Sequence, residues 1–96
     1  MAKLKHDIYL ENLCTKISSD YQKLMKNVPL YSKKKRRVAE IDILAFNEKG
    51  CDVYEVKCSY RIIKARKQLH RIRRFMPDIR NTFFFCGQSG NLELVH

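Results

Sequence analysis

The chain has 96 residues, with 20 Lys and Arg against 10 Asp and Glu, so its formal net charge is +10. Its length predicts a single domain, and a hydrophobic content of 45% is enough for a core, which argues against a disordered protein. No apolar run reaches the roughly 20 residues of a membrane-spanning helix, and the first residues lack the apolar region of a signal peptide. We therefore expect a cytoplasmic domain with no membrane partner, from an archaeal, bacterial or virus-infected cell, and nucleic acid is the default partner of such a basic domain.

The first predicted element is an amphipathic helix, because apolar residues recur at intervals of three and four between Leu10 and Met25. We expect the helix to begin within residues 5–7 and to end by Asn27, ahead of Pro29, since proline disfavours helical backbone in the residue before it. Its apolar stripe would pack on a sheet formed by the segments that follow.

The remaining elements alternate between strands and one further helix. A short possible strand at residues 28–32 precedes a run of cations, and apolar, β-branched segments joined by turn residues follow. The predicted strands are residues 38–46, 51–58, 81–86 and 92–95, and the predicted helix is residues 60–76. The order αβββαββ predicts an α/β fold with one mixed sheet flanked by helices.

The cysteines give no sign of a metal site or of disulfides. Cys14, Cys51, Cys58 and Cys86 lack the short spacing of zinc ribbons, and the three histidines are scattered along the chain. We expect four reduced, mostly buried thiols that behave as small hydrophobic residues.

Charged residues stand inside two strands that otherwise read as buried. Asp42 lies in the first of them, and Glu55 and Lys57 share one face of the second, because side chains alternate along a strand. An unpaired buried charge costs several kcal/mol, so these groups need partners.

The turn between the two strands decides whether these groups meet. If Glu48-Lys49 is a two-residue turn, Asp42 lies opposite Glu55 and another acid, Glu40, lies opposite Lys57. A four-residue loop would make the Asp42–Glu55 contact diagonal. A three-residue loop would place these two residues on opposite faces unless a second bulge restored the parity. The sequence leaves all three turns open.

Two opposed carboxylates repel each other unless one is protonated or a cation lies between them. Mg²⁺ typically uses one or two carboxylates with waters and substrate phosphates, and a nearby Lys57 ammonium could orient water and neutralise charge on a phosphate. The alternative is structural: cross-strand ion pairs of Glu40 with Lys57 and of Asp42 with an arginine.

The spacing of these residues resembles the motif of the PD-(D/E)XK nuclease superfamily: Asp42, twelve intervening residues, then Glu55-Val56-Lys57. The resemblance covers residues 5–86 and includes the element order, from a helix through the Asp strand, a hairpin and the Glu-x-Lys strand to a basic helix and another strand. The chain looks most like the small archaeal Holliday-junction resolvases. The resemblance implies a restriction-endonuclease-like αβββαβ core and a DNA endonuclease that requires Mg²⁺ or Mn²⁺, with branched or junction DNA as one class of substrate.

The resemblance also implies roles for individual residues. Asp42 and Glu55 would hold the catalytic metal, the carbonyl of Val56 would be a backbone ligand, and Lys57 would be the catalytic lysine. The chain departs from the motif at Ile41, where many members have proline.

Further site residues follow from the same resemblance. Such nucleases often add an acidic residue from the first helix, and Glu11 matches best as a catalytic residue and metal ligand, with Asp7 as the alternative. A serine before the Asp strand is typical of the resolvases, and Ser32 holds a comparable place. Gln68 lies on the following helix as in exonuclease-type relatives, although their tyrosine four residues later is Ile72 here.

Two basic segments, residues 33–37 and the predicted helix of residues 60–76, flank the proposed metal site and are expected to contact DNA phosphates. The five consecutive cations of residues 33–37 repel one another, so we expect this loop to become ordered when it binds phosphates. No base-reading motif is visible, which favours recognition of backbone shape. The expected DNA-binding residues are Ser32, Lys33, Lys34, Lys35, Arg36, Arg37, Arg61, Lys64, Lys67, Gln68 and Arg71.

Cutting two strands requires two active sites, so the nuclease hypothesis predicts a homodimer. Two other hypotheses compete with it. One is a non-catalytic basic DNA-binding module that retains the nuclease fold, and the other is an RNA-associated basic protein.

Overall fold

The computed structural model describes residues 4–96. Five strands form one sheet in chain order, in which β3 and β4 are parallel and every other neighbouring pair is antiparallel. The predicted α/β fold with one mixed sheet is thus confirmed, and it is compatible with a restriction-endonuclease-like core. The elements are α1 (Lys5–Ile17), a 3₁₀ turn (Ser18–Asp20), β1 (Lys23–Tyr31), β2 (Arg37–Asn47), β3 (Gly50–Lys57), α2 (Ile62–Phe75), β4 (Asn81–Cys86) and β5 (Asn91–Val95).

The first helix is shorter than predicted. It ends at Ile17. The last residues expected in the helix belong instead to a strand, β1, which also includes most of the short strand predicted after the helix. This strand pairs with β2 from Lys23 to Tyr31. Leu24 fits the helical spacing, but it pairs with Ala45 of β2. The long antiparallel pairing therefore overrides the local helical pattern. The other strands and α2 lie within two residues of their predicted bounds.

The two helices cover opposite faces of the sheet. Leu10 and Leu13 of α1 pack in a cluster with Tyr54 and Val56 of β3. The cluster beneath α2 instead contains Val53, the alternate residue of the same strand. Because neighbouring residues of a strand point to opposite faces, the sheet is sandwiched between the helices. Neither helix within residues 4–96 is long and apolar enough to cross a membrane.

The turn between β2 and β3 has two residues. Asn47 pairs with Gly50, and the Asn47 side chain accepts a hydrogen bond from the Lys49 amide at 2.9 Å. Gly50 has a φ of 138°, which only glycine adopts readily. The two-residue alternative is therefore the correct one, and it sets Asp42 and Glu55 one position beyond the last paired residues.

Regular alternation along β2 predicts that Ile41, Ile43 and Ala45 share one face of the sheet, and this prediction is wrong for Ile41. Ile43 and Ala45 pack beneath α1, but Ile41 belongs to the cluster beneath α2. The change of face falls at Asp42, which lies across from Asn27 of β1, a residue with a left-handed φ of 52°. The irregular backbone at Asn27 thus accompanies the change of face at Asp42.

A buried polar network on Asp52, which the sequence did not predict, ties the other end of β3 to the rest of the fold. Asp52 accepts two hydrogen bonds from Arg80, at 2.8 and 3.1 Å, one from the Tyr21 hydroxyl at 2.5 Å and one from the Asn81 amide at 3.1 Å. Burial opposes ionisation of Asp52, but the hydrogen bonds and charge of Arg80 outweigh it and lower the pKa of the carboxyl. This network joins the α1–β1 connection to β3 and β4.

The four thiols are free, as predicted, but they are less buried than expected. Cys86 is buried, Cys14 and Cys51 are half-buried, and Cys58 is exposed in the loop after β3. Burial raises the pKa of the Cys14 and Cys51 thiols.

Candidate active site

The site forms where β2 and β3 separate. Their pairing ends at Ile43 and Tyr54, whereas β3 continues beside β4 as far as Lys57. The Val56 amide donates to Oδ2 of Asp42 at 2.8 Å. The Asp42 carboxylate thus accepts the hydrogen bond of the Val56 amide, which has no backbone partner on β2. This contact holds the carboxylate in the fork between the two strands.

Asp42 and Glu55 form a buried carboxylate pair, with residue exposures of 8% and 2%. Burial, and then the negative charge of Asp42, raise the pKa of Glu55 to about 8, although Lys57 opposes the shift. The Lys57 ammonium lies 3.2 Å from Oε2 of Glu55. The other carboxylate oxygen, Oε1, is buried without a hydrogen-bond partner in the described chain. The Lys57 ammonium therefore offsets only part of the negative charge that the two carboxylates carry when both are ionised.

His6, in the first turn of α1, is a site residue that the sequence interpretation missed. Its Nε2 lies 2.9 Å from the carbonyl oxygen of Val56 and 3.5 Å from Oδ2 of Asp42. Its Nδ1 is 3.9 Å from the Asp7 carboxylate, which places Asp7 behind the ring. No spacing pattern marked this histidine, because its neighbours in the site are far along the chain and one of them is a backbone atom.

Glu11, the acid predicted from the first helix, forms an ion pair at 2.7 Å with Lys26 of β1. This contact joins α1 to the edge of the sheet. The α1 side chain whose contact with the Asp42 carboxylate is seen is His6, one and a half turns earlier. The role of Glu11 as a catalytic residue and metal ligand stays a prediction.

The alternative of cross-strand ion pairs is wrong for these residues. Glu40 pairs with Arg37 on its own strand, and Lys57 pairs with Glu55. The partners of Asp42 are the Val56 amide and His6, not an arginine.

The basic turn, residues 32–37, is closed rather than an open loop. The Ser32 amide donates to the Arg36 carbonyl at 2.8 Å, and the Lys35 amide donates to the Ser32 carbonyl at 2.9 Å. Ser32 Oγ also accepts from the Arg36 amide at 3.4 Å, so this serine shapes the turn. Residues 33–37 are exposed, so the cations are displayed at the tip of the β1–β2 hairpin.

The basic residues predicted on α2 do not all project freely. Lys64 and Lys67 are exposed, as is Arg61 just ahead of the helix. Arg71 is exposed as well, but its Nε donates to the Val38 carbonyl at 2.7 Å, which fastens α2 to β2. Gln68 is half-buried, and its Oε1 has no hydrogen-bond partner among residues 4–96.

The fork holds oxygen donors that suit a hard divalent cation, namely the carboxylate oxygens of Asp42 and Glu55 and the backbone carbonyl of Val56. His6 Nε2 lies 2.9 Å from the Val56 oxygen and 3.5 Å from Asp42 Oδ2, so the imidazole contacts two of these oxygen donors. Within residues 4–96, however, no group of three or more His, Cys, Asp or Glu side chains is already arranged to hold a metal. Side chains would have to draw together around the ion.

Comparison with known proteins gives no identification. No model of a known protein family matches the chain, and no curated protein matches it.

Proposed function

We propose that the protein is a Mg²⁺- or Mn²⁺-dependent DNA endonuclease that hydrolyses phosphodiester bonds in the manner of the PD-(D/E)XK nucleases. The observation that carries this proposal is the buried pair of Asp42 and Glu55, in which burial and charge raise the pKa of Glu55 to about 8. A protein gains nothing in stability from such a pair, and strained titratable pairs of this kind are typical of functional sites.

A divalent cation would relieve the deficit of positive charge in the fork. Glu55 would release its proton and turn the unpartnered Oε1 toward the ion, since metal binding requires the ionised carboxylate. Asp42 already presents a carboxylate beside the Val56 carbonyl and His6. A bound cation supplies Lewis-acid stabilisation of phosphate oxygens and makes water more acidic.

The residues of the chain supply the remaining chemistry. Lys57 lies at the edge of the pair, with its side chain 16% exposed, and can therefore reach a phosphate oxygen and offset the charge that develops there. The Val56 amide holds Asp42 in position. His6 is half-buried at the opening of the fork, where it can help to orient the ligands.

DNA is the proposed substrate because the chain displays uncompensated cations. The net charge is +10, and exposed Lys and Arg lie on the basic turn and on the solvent side of α2. Phosphate contacts of this kind bind without reading the sequence. A homodimer would bring two such sites to a duplex or a junction, and the proposal places the protein in the cytoplasm.

The test is a nicking assay on supercoiled plasmid and on a four-way junction, with Mg²⁺ or Mn²⁺ and with chelator. The wild type should cleave only with the divalent ion, and Asp42→Asn and Lys57→Ala should each lose at least about a hundredfold in rate. Asp78→Asn, a change at an exposed acid outside the fork, is the matched control and should cleave normally. Cleavage retained by Asp42→Asn, or none by the wild type with either ion, would contradict the proposal.

DNA binding without cleavage is the second candidate function. It is favoured by the lack, within the described chain, of a ready three-side-chain metal group, and by the hydrogen bond between His6 and the Val56 carbonyl. In this case the wild type would bind duplex and junction DNA with the same affinity in Mg²⁺ and in chelator, and no variant would alter the DNA.

A further inference from the structure

An exposed aromatic and aliphatic patch lies at the start of α2, directly after the strand that carries Glu55. Tyr60 is 53% exposed and Ile63 is 67% exposed. Together with Ile62 they line a surface pocket of about 590 Å³, which is within the size range of ligand sites. The two side chains therefore present adjacent aromatic and aliphatic surface at the mouth of this pocket.

The Tyr60 ring is held in place although it is exposed. Its centroid lies 5.4 Å from that of Phe84, with the two rings nearly perpendicular. Glu93 of β5 lies near its hydroxyl and raises the pKa of the phenol. A ring held against Phe84 loses little conformational entropy when something stacks on it.

The patch is close to the carboxylate pair. Phe84 is the register partner of Glu55 across the parallel strands β3 and β4. Neighbouring strands are about 4.8 Å apart and the Tyr60 and Phe84 ring centroids are 5.4 Å apart, so with the length of the Phe84 side chain the Tyr60 ring lies on the order of 10–15 Å from Glu55. About three to four stacked nucleotides span this distance, at roughly 3.4 Å each.

The charges around the patch select the occupant. Arg61, Lys64 and Lys67 line the same pocket, whereas Glu93 lies near the Tyr60 hydroxyl and is not part of the pocket lining. An apolar floor with a cationic rim matches a nucleotide, which offers a flat base and an anionic backbone. Aromatic side chains among cations are the usual binding surface for single-stranded nucleic acid.

We propose that Tyr60 and Ile63 form a stacking platform for one unpaired base of a DNA strand whose backbone enters the fork at Asp42 and Glu55. This inference rests on the proposed function and narrows its substrate to DNA with an unpaired nucleotide near the scissile phosphate. Fully paired duplex would lack the base that fills the platform.

The test measures binding in chelator, so that no cleavage occurs. Two oligonucleotide duplexes carry one 2-aminopurine, either paired or as a single-nucleotide bulge, and the affinity and fluorescence of each are measured. The wild type should bind the bulged duplex about 5- to 150-fold more tightly, the range expected for stacking one base, and should quench its fluorescence. Tyr60→Leu should remove both effects, whereas Tyr60→Phe should keep the preference within about twofold.

Tyr31→Leu is the matched control, because Tyr31 is similarly exposed, at 56%, but lies beside the basic turn. It should keep the preference for the bulge. Equal affinity of the wild type for both duplexes, or a preference that survives in Tyr60→Leu, would overturn the platform even if the wild type nicks plasmid. A preference that depends on Tyr60 in a protein that fails to nick would support the platform and refute the nuclease.

Discussion

Replacement of Glu55 by Gln should change how the stability of the protein depends on pH. The folded protein holds the pKa of Glu55 at about 8, against 4.5 for a free glutamate. A group whose pKa is raised by folding contributes its full stability below the unfolded value, and this stability is lost as the pH rises toward the folded value. The free energy of unfolding of the wild type should therefore fall between about pH 4.5 and pH 8. In Glu55→Gln the part of this fall that comes from Glu55 should be absent.

The magnitude follows from the two pKa values. Their difference corresponds to about 5 kcal/mol, because each tenfold change in an equilibrium is about 1.4 kcal/mol. At most about 3.5 kcal/mol of this falls between pH 5 and pH 8, since water that enters the fork would reduce it. The Glu55 side chain is only 3% exposed, so solvent screening does not remove the effect.

The assay is urea unfolding without metal at pH 5 and at pH 8. Glu55→Gln should gain about 1–3 kcal/mol relative to the wild type over this interval. Glu48→Gln is the control, because Glu48 is exposed in the β2–β3 turn and should follow the wild type. Parallel stability curves for Glu55→Gln and the wild type would refute the reasoning, since they would mean that the carboxylate is not forced into its neutral form by its surroundings.

Three further predictions concern other parts of the molecule. Asp52→Asn should cost about 1–3 kcal/mol in urea unfolding at neutral pH, because a buried amide cannot accept all the hydrogen bonds that Arg80, Tyr21 and Asn81 donate to the carboxylate; equal stability would show that the network is not structural. Gly87→Ala should cost about 1–3 kcal/mol, because the added Cβ would overlap the Tyr9 ring, and the cost should shrink in a Tyr9→Ala background. An unchanged melting temperature for Gly87→Ala would contradict that packing. Affinity for duplex DNA should fall by about three to five decades between about 50 and 200 mM salt if six to ten phosphates are neutralised, and a flat salt dependence would rule out backbone contact.

The core strands were predictable because their composition admits few alternatives. The segment that became β4 carries three consecutive phenylalanines between turn residues, and β3 is β-branched and apolar around Glu55. Such segments are buried wherever they stand in the fold. The end of α1 was not predictable in the same way, because Leu24 fits both a helical stripe and a strand, and only its pairing with β2 decides between them.

The candidate site was predictable in part for similar reasons. Asp42 and Glu55 stood out because a carboxylate inside an apolar strand is costly. Their register was not predictable, because the sequence allowed three turns and only the pairing of Asn47 with Gly50 decides among them. His6 could not be found from spacing, since its partner in the site is the backbone carbonyl of Val56. The Asp52 network was also hidden, because it draws on distant segments that carry no shared pattern.

The most direct test of the central claim is to measure Mn²⁺ binding to the wild type by calorimetry at pH 7.5, in buffers of different ionisation enthalpy. We expect one ion to bind per chain and the Glu55 carboxyl to release its proton to the buffer, so the binding enthalpy should change with the buffer. Binding should be at least about tenfold weaker in Asp42→Asn and in Glu55→Gln. Absence of binding, or equal binding by both variants and the wild type, would contradict the claim that the carboxylate pair holds a divalent cation.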